Sequence, residues 1–467
     1  MPDSESTKKK SGKPTVSVPK PEAGAGAAKD ESSLYGDEGD IPAKRKKTPR
    51  KPEEKKVRKS GEKKKKKTGD GGEKKKGGFK FRRKKTGKPR RTLFDLMSAT
   101  GSDSFFKPLK LFGREIRFWP LFLLGIMAFM AVGVMLNNSN LTTVEQSITV
   151  VGLPETLENY RIIVLSDLNG KRFGDNQSLL LRSINNAGYD AIFCVGDMVG
   201  KSGNPEPFYE FLEGLKRPER VYFICGDSDP GPFVAQPRNI TGTLSEIILE
   251  DWILGAIERG ANYVDAPMLI PVKNARLWVS PATMLNLETV STVEYWKDQT
   301  EQEQDGVMSG IQSDYTTLPR TDYRYQQMQK LYNAERDMQA SDMHITLAHE
   351  PPAEDFIYTS ETHKAGTDRY IITPELVLAG HYCNGVWRIP FFGALYVPDY
   401  TLPRGGWFPE QSKICGLSSV DETQMYITGG LGINGAVKLM PFRLFNGPQI
   451  SVLTLTSTLP ENMLDAR

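Results

Sequence analysis

Three aspartates each close an apolar run in this chain: "IIVLSD" ends at Asp167, "AIFCVGD" at Asp197 and "YFICGD" at Asp227. Two histidines stand at the same kind of boundary, His349 after "HITLA" and His381 after "LVLAG". Grouped carboxylates repel one another unless a cation sits among them, and imidazole joins carboxylate in many metal sites. Cys383 follows two residues after His381, so one loop marked by Gly380 and Gly385 offers a borderline donor and a soft one. A metal centre assembled from strand ends is the chemistry that these residue types offer. The plainer alternative stays open: three ordinary turn aspartates, a histidine capping a turn, and a cysteine packing as a small apolar group.

For five side chains from distant positions to meet, the elements behind them must converge. The stretch "YRIIVLSD" reads as a buried strand. "DNQSLLLRSINNAG" follows as a helix, with Leu179, Leu180 and Ile184 at helical spacing and Gly188 at its end. Strand "AIFCVGD", a helix from about Glu206 to Leu215 and strand "VYFICGD" continue the alternation, which predicts a largely parallel sheet. Ligand sites in such sheets lie beyond the carboxyl ends of the strands, where these aspartates fall. A polar stretch over residues 286–341, with helical spacing at Met328, Leu331, Tyr332 and Glu335, reads as an insertion or lid containing one helix.

The charge is distributed unevenly. The whole chain carries 61 Lys+Arg against 57 Asp+Glu, yet residues 1–92 hold about 32 of the former and 13 of the latter. This tail is rich in Lys, Gly, Pro and Ser without apolar periodicity, so it is expected to be disordered. Its charge suits anionic lipid head groups, whereas its scarcity of aromatic residues argues against specific nucleic-acid recognition; a solvated spacer is the alternative. After a juxtamembrane segment, 93–117, comes an uncharged run from Phe118 to Leu136. About 19 residues at 1.5 Å each span roughly 28 Å of hydrocarbon, which predicts a single transmembrane helix. Arg114 and Arg117 on its N-terminal flank place the tail in the cytoplasm and the folded region outside the cell membrane. Residues 137–159 read as a linker, 160–457 as the folded domain and 458–467 as a C-terminal tail. Four cysteines, Cys194, Cys225, Cys383 and Cys415, show no paired spacing that would indicate a disulfide framework.

Asp167-Leu168-Asn169, Gly196-Asp197, Gly226-Asp227-Ser228-Asp229, "LAHEP" and "AGHYCNG" resemble, in order, the five sequence blocks of the calcineurin-like metallophosphoesterases. The ending "YITGGLGINGAVKLMPFRLFNGPQISVLTL" resembles the tail of membrane-anchored bacterial phosphodiesterases of that family. The resemblance implies an α/β four-layer sandwich, two mixed β-sheets flanked by helices, and a two-metal centre that hydrolyses phosphoesters. It implies one divalent ion (zinc, manganese or iron) held by Asp197, Asp227, His349 and His381. A second ion would fall to Asp167, Asn169, Asp197 and Cys383, where Asn replaces one family His and Cys another, so that site is expected to be weak. Ser228 replaces the histidine that the family sets beside the scissile phosphate, and an alcohol cannot take over its acid–base role near neutral pH. Three functions follow as expectations: a weakly active or non-catalytic pseudoenzyme that binds a phosphorylated ligand, an active metal-dependent phosphodiesterase or phosphatase on envelope or lipid-linked substrates, or a structural anchor acting through its basic tail.

Overall fold

The computed structural model of the chain describes residues 108–111, 114–234, 248–309, 317–357, 373–397, 405–420, 423–433 and 442–457. The basic tail 1–92 and the C-terminal residues 458–467 lie outside the described residues. The chain divides into two compact units, with residues 24–123 in one and the chain from Leu124 onward in the other. In the first, β1 (Pro108–Leu111) and β2 (Arg114–Arg117) pair as an antiparallel hairpin. The helix Phe118–Ser139 follows. From there the strands are β3 (Thr142–Thr149), β4 (Arg161–Leu165), β5 (Ala191–Val195), β6 (Val221–Ile224), β7 (Asn262–Tyr263), β8 (Met268–Val272), β9 (Ala275–Pro281), β10 (Met343–Leu347), β11 (Leu376–Ala379), β12 (Trp387–Ile389), β13 (Gly393–Val397), β14 (Gly406–Trp407), β15 (Gly416–Val420), β16 (Thr423–Ile427) and β17 (Gln449–Thr456).

Two six-stranded mixed sheets dominate, ordered β3-β17-β4-β5-β6-β7 and β15-β16-β11-β10-β9-β8. Their centres are parallel: β4, β5, β6 and β7 in the first, β9, β10, β11 and β16 in the second. Parallel strands covered on both faces read as unbroken apolar runs, and "RIIVL" shows why. Ile162 and Val164 point into a core shared with Leu277, Ile345 and Leu378 of the opposite sheet. Ile163 and Leu165 point the other way, into a second core with Leu180, Phe208 and Trp252. The outer layer of the first sheet is therefore the helices Ser178–Ala187, Glu206–Glu213 and Asp251–Glu258. On the outer side of the second sheet, Met328, Leu331 and Ala334 of the helix Thr317–Asp337 pack on Trp278. The small sheet β12-β13-β14 covers Val377, Ala379 and Ile427 through Ala394 and Val397.

Two expectations need correction. The stretch 137–159 is not a linker throughout, because β3 runs parallel to β17 over eight residues at the sheet edge. Its polar sequence suits an edge strand with one wet face, while Ile148 and Leu157 enter the core. Residues 286–341 contain two helices, Thr289–Ser309 and Thr317–Asp337, rather than one. Among the described residues no helix is long and apolar enough to cross a membrane; the helix Phe118–Ser139 contains the apolar run, and its Leu124, Met127, Phe129 and Met135 are exposed.

Phe223 joins the first sheet to its helices, touching Phe208, Trp252 and Tyr263 with ring centroids 5.3 to 5.8 Å apart. Phe223→Ala is expected to lower stability by about 3–5 kcal/mol, read as a shift of the denaturation midpoint with unchanged slope. A loss below about 1 kcal/mol would show that this layer collapses around the cavity.

Candidate metal centre

Each singled-out acid or imidazole stands two or three residues past a strand: Asp167 after β4, Asp197 after β5, Asp227 after β6, His349 after β10 and His381 after β11. The first sheet thus supplies the carboxylates and the second the imidazoles, and they meet where the carboxyl ends of both sheets share a rim. Backbone bonds join the two sheets at this rim. Leu431 N–H donates to Ser166 O at 2.9 Å, and Gly432 N–H to Asp167 O at 2.6 Å.

Turning the chain out of a strand so abruptly requires unusual backbone. Asp167, Asp197, His381 and Cys383 all adopt left-handed φ, at 55°, 56°, 67° and 48°. For L-residues that region costs roughly 1–2 kcal/mol each and persists where surrounding contacts enforce it. Gly226 shows how tight the enforcement is, since a Cβ there would lie 2.2 Å from Asp197 Oδ1.

Three ligand atoms converge, and an Asp197 oxygen stands beside one of them. His349 Nε2 lies 2.9 Å from Asp227 Oδ1 and 3.4 Å from Asp197 Oδ2. His381 Nδ1 lies 3.3 Å from the same Asp227 oxygen and 3.2 Å from His349 Nε2. A tetrahedral ion with bonds of about 2.0–2.1 Å separates its ligands by roughly 3.3 Å. The spacing therefore fits a small divalent ion. His349 Nδ1 pairs with Val195 O at 2.8 Å, which fixes its proton on Nδ1 and leaves Nε2 facing the carboxylates. Two ligand groups can be drawn, Asp227 with His349 and His381, and Asp167 with Asp197 and His349. His349 belongs to both.

The donor set also leaves buried lone pairs over. Asp167 and Asp197 are fully buried, and Asp167 Oδ1 and Asp197 Oδ2 have no hydrogen-bond partner among the described residues. Their other oxygens are occupied: Asp167 Oδ2 accepts from Ser166 Oγ at 2.5 Å and from His381 N–H at 3.2 Å, while Asp197 Oδ1 accepts from Ser228 N–H at 2.8 Å. Buried carboxylate oxygens without a hydrogen bond, one of them with His349 Nε2 at 3.4 Å, are the condition that a cation relieves.

The remaining expected residues sit around this set. The buried Nδ2 of Asn169 finds no acceptor among the described residues, while its backbone N–H donates to Asp197 O at 2.8 Å. Cys383 is buried beside Asp167 and joins neither ligand group; burial first, and then the Asp167 charge, hold its thiol well above the ordinary value. Ser228 is buried and its Oγ has no partner among the described residues.

Two positioning residues were not anticipated. Asp229 accepts from the backbone N–H groups of Val199 and Gly200 at 2.8 Å, Gly226 at 2.9 Å and Met198 at 3.3 Å, pinning the Asp197 and Asp227 loops together. Arg443 is fully buried and spends all five N–H groups on carbonyls. It donates to Asn446, Gly430, Gly432, Cys383 and Gly429 at 2.6 to 3.0 Å, tying the His381–Cys383 loop to the 429–432 turn. The only sequence cue was an arginine inside an apolar run, "LMPFRLF".

No protein-family model matches the chain, and no curated protein matches it in sequence. Among solved structures it is similar to phosphopantetheinyl hydrolase (PptH) from Mycobacterium tuberculosis, at 11% identity and TM-score 0.29, covering 62% of this chain and 96% of that one. It is also similar to sulfate thiohydrolase SoxB from Thermus thermophilus in complex with glycerol, at 10% identity and TM-score 0.27, covering 67% of this chain and 60% of that one. At these TM-scores neither likeness carries weight for chemistry.

Protons compete with any ion here. Burial works to lower the His349 pKa, but Asp197 and Asp227 beside it carry the value well above the ordinary 6.5. Burial likewise works to raise Asp227, and His349 and His381 together pull it below the carboxylate range. In the metal-free chain the His349 contribution is fully present below pH 6.5 and is lost as pH rises through the raised value; the Asp227 contribution is present above 3.8 and lost as pH falls through the depressed one. With a chelator present, the thermal midpoint is expected to fall as pH climbs above 6.5, and His349→Gln reduces that slope to the part left by His381, which is also raised. An undiminished slope in the variant would assign it elsewhere. Arg443→Lys offers three donors for five and orphans two carbonyls, so a loss of about 2–6 kcal/mol in chemical denaturation is expected. An unchanged midpoint would mean that water replaces the guanidinium.

Proposed function

We propose that the chain is a membrane-anchored module that holds one divalent ion and binds a phosphoester group beside it, with weak turnover or none. The observation that carries this reading is the group Asp227, His349 and His381, whose ligand atoms lie 2.9 to 3.3 Å apart, the ligand spacing of one small ion, with Asp197 Oδ2 3.4 Å from His349 Nε2 beside it. A bound divalent ion supplies Lewis-acid attraction for phosphoryl oxygens. Asp227, with a side chain 52% exposed, sits at the open side of the site where a ligand would arrive.

Weak turnover follows from what the neighbouring residues lack. Ser228 stands where the family resemblance implies a histidine, and general acid catalysis is worth about 10²–10⁴ in rate. Asn169 and Cys383 replace two imidazoles of the second site, and the buried Cys383 thiol stays protonated. An active phosphoester hydrolase is the second reading. It is favoured by the second ligand group, Asp167, Asp197 and His349, whose atoms lie within 4.8 Å of one another.

The anchoring part is supported by the helix Phe118–Ser139, because a helix apolar on every face is stable only when buried or in lipid, and this one is exposed. The tail would add salt-sensitive attraction to anionic head groups.

Elemental analysis of the purified chain beside an assay on a generic phosphodiester decides between the two readings. One ion per chain with negligible turnover, and no ion in Asp197→Ala, is the expected result. Two ions with turnover abolished by Asp197→Ala would establish the hydrolase. A chain that binds no ion at saturating zinc or manganese would overturn both.

A further inference from the structure

The small sheet β12-β13-β14 grows out of the loop that carries His381 and presents a group of exposed apolar side chains. Phe391 is 105% exposed and Phe408 76%, with Ile389, Phe392 and Trp407 exposed around them. Both phenylalanines sit in left-handed backbone, at φ 70° and 56°. Bulky L-residues avoid that region, so two turns hold their rings outward at a conformational cost. Between the rings, Ile389, Phe392, Leu395 and Phe408 line a groove of about 290 Å³. Single exposed apolar residues are ordinary on a soluble surface; a contiguous aromatic group with a groove in it is not.

This face adjoins a second one. Residues 124–135 of the helix Phe118–Ser139 are apolar without exception. That helix touches the domain through Phe129, whose ring centroid is 5.0 Å from that of Phe445, and at Gly133, where a Cβ would come within 2.5 Å of the same ring. Leu444, the preceding residue, accepts from Arg388 N–H at 2.9 Å and bridges to Trp387 at the start of β12. Residues 124–135 of the helix, the 442–446 turn and the aromatic sheet are thus consecutive in one unit, and both faces present exposed apolar side chains.

We propose that the aromatic face of β12-β14 docks into the interfacial region of the lipid bilayer that the helix enters. Trp and Phe rings are at home at that depth, where an apolar body meets polar head groups. The face continues into the apolar surface of the helix through the 442–446 turn, which favours the bilayer over a second copy as its occupant. The consequence for the proposed function is one of substrate class. Only seven residues separate His381 from Ile389, so docking holds the metal loop at head-group level, where the phosphoesters within reach are those of lipids. The inference rests on the anchoring part of the proposed function.

Tryptophan quenching separates the two. The full chain is reconstituted in vesicles whose acyl chains are brominated just below the head groups. Three variants are compared: W407F, which keeps Trp119 in the helix; W119F, which keeps Trp407 in the face; and the double variant. Docking predicts that bromine removes more emission from each single variant than from the double variant, whose residual quenching comes from Trp387 beneath the face, 6.3 Å from the position of Trp407. Quenching in W407F together with none beyond the double variant's in W119F overturns docking while anchoring stands. Quenching in neither overturns both. A Trp407 emission that shifts to the blue as protein per lipid is raised, without bromine quenching, assigns the face to a second copy and also overturns the proposal.

Discussion

Three carboxylates and two imidazoles crowd a rim where two sheets end, and two of the carboxylates are sealed from water. Such a cluster is repulsive in the absence of positive charge, and the rest of the architecture reads as the means of holding it. Parallel strands bring their carboxyl ends to one edge, so each sheet delivers its side chains to the same place. The apolar runs behind them are buried on both faces, which makes the strands stiff supports. The cost of clustering is therefore met by burial elsewhere.

What sets the site is less the ligands than the groups behind them. Asp229 binds four backbone N–H groups from two loops, and Arg443 gathers five carbonyls from three segments. Neither leaves a donor or acceptor free for substrate. Both convert flexible turns into fixed ones, which is what left-handed backbone at Asp167, Asp197, His381 and Cys383 demands. The Arg443 charge also lies close to Asp167 and Cys383, offsetting part of the negative charge on the side of the weaker ligand group.

Much of this was legible in the sequence, for a physical reason. A strand covered on both faces has no polar positions, so Ile162–Leu165, Ala191–Val195 and Leu376–Ala379 stand out as unbroken runs, and the residues that close them stand out in turn. Elements with one wet face did not. The polar β3 passed for a linker because its partner, β17, lies roughly 300 residues away, and the polar insertion hid a second helix. "HITLAHEP" carries two histidines, and the place of His349 after the apolar run marked it as the one at the strand end. His344 lies within β10, bonded to Ser280 Oγ at 2.7 Å, and only His349 clears the strand end to face the carboxylates. Arg443 was unreadable because its acceptors are backbone carbonyls brought together by the fold. The outward rings of Phe391 and Phe408 depend on turn conformations that no periodicity encodes.

The central claim is that this rim exists to hold a cation. Crystals grown with manganese or zinc and measured at the absorption edge of the metal test it most directly. The account predicts a dominant anomalous peak bonded at about 2.0–2.2 Å by Asp197, Asp227, His349 and His381. A fully soaked crystal with no peak among those four side chains, their carboxylates and imidazoles bonded only to one another, would contradict it.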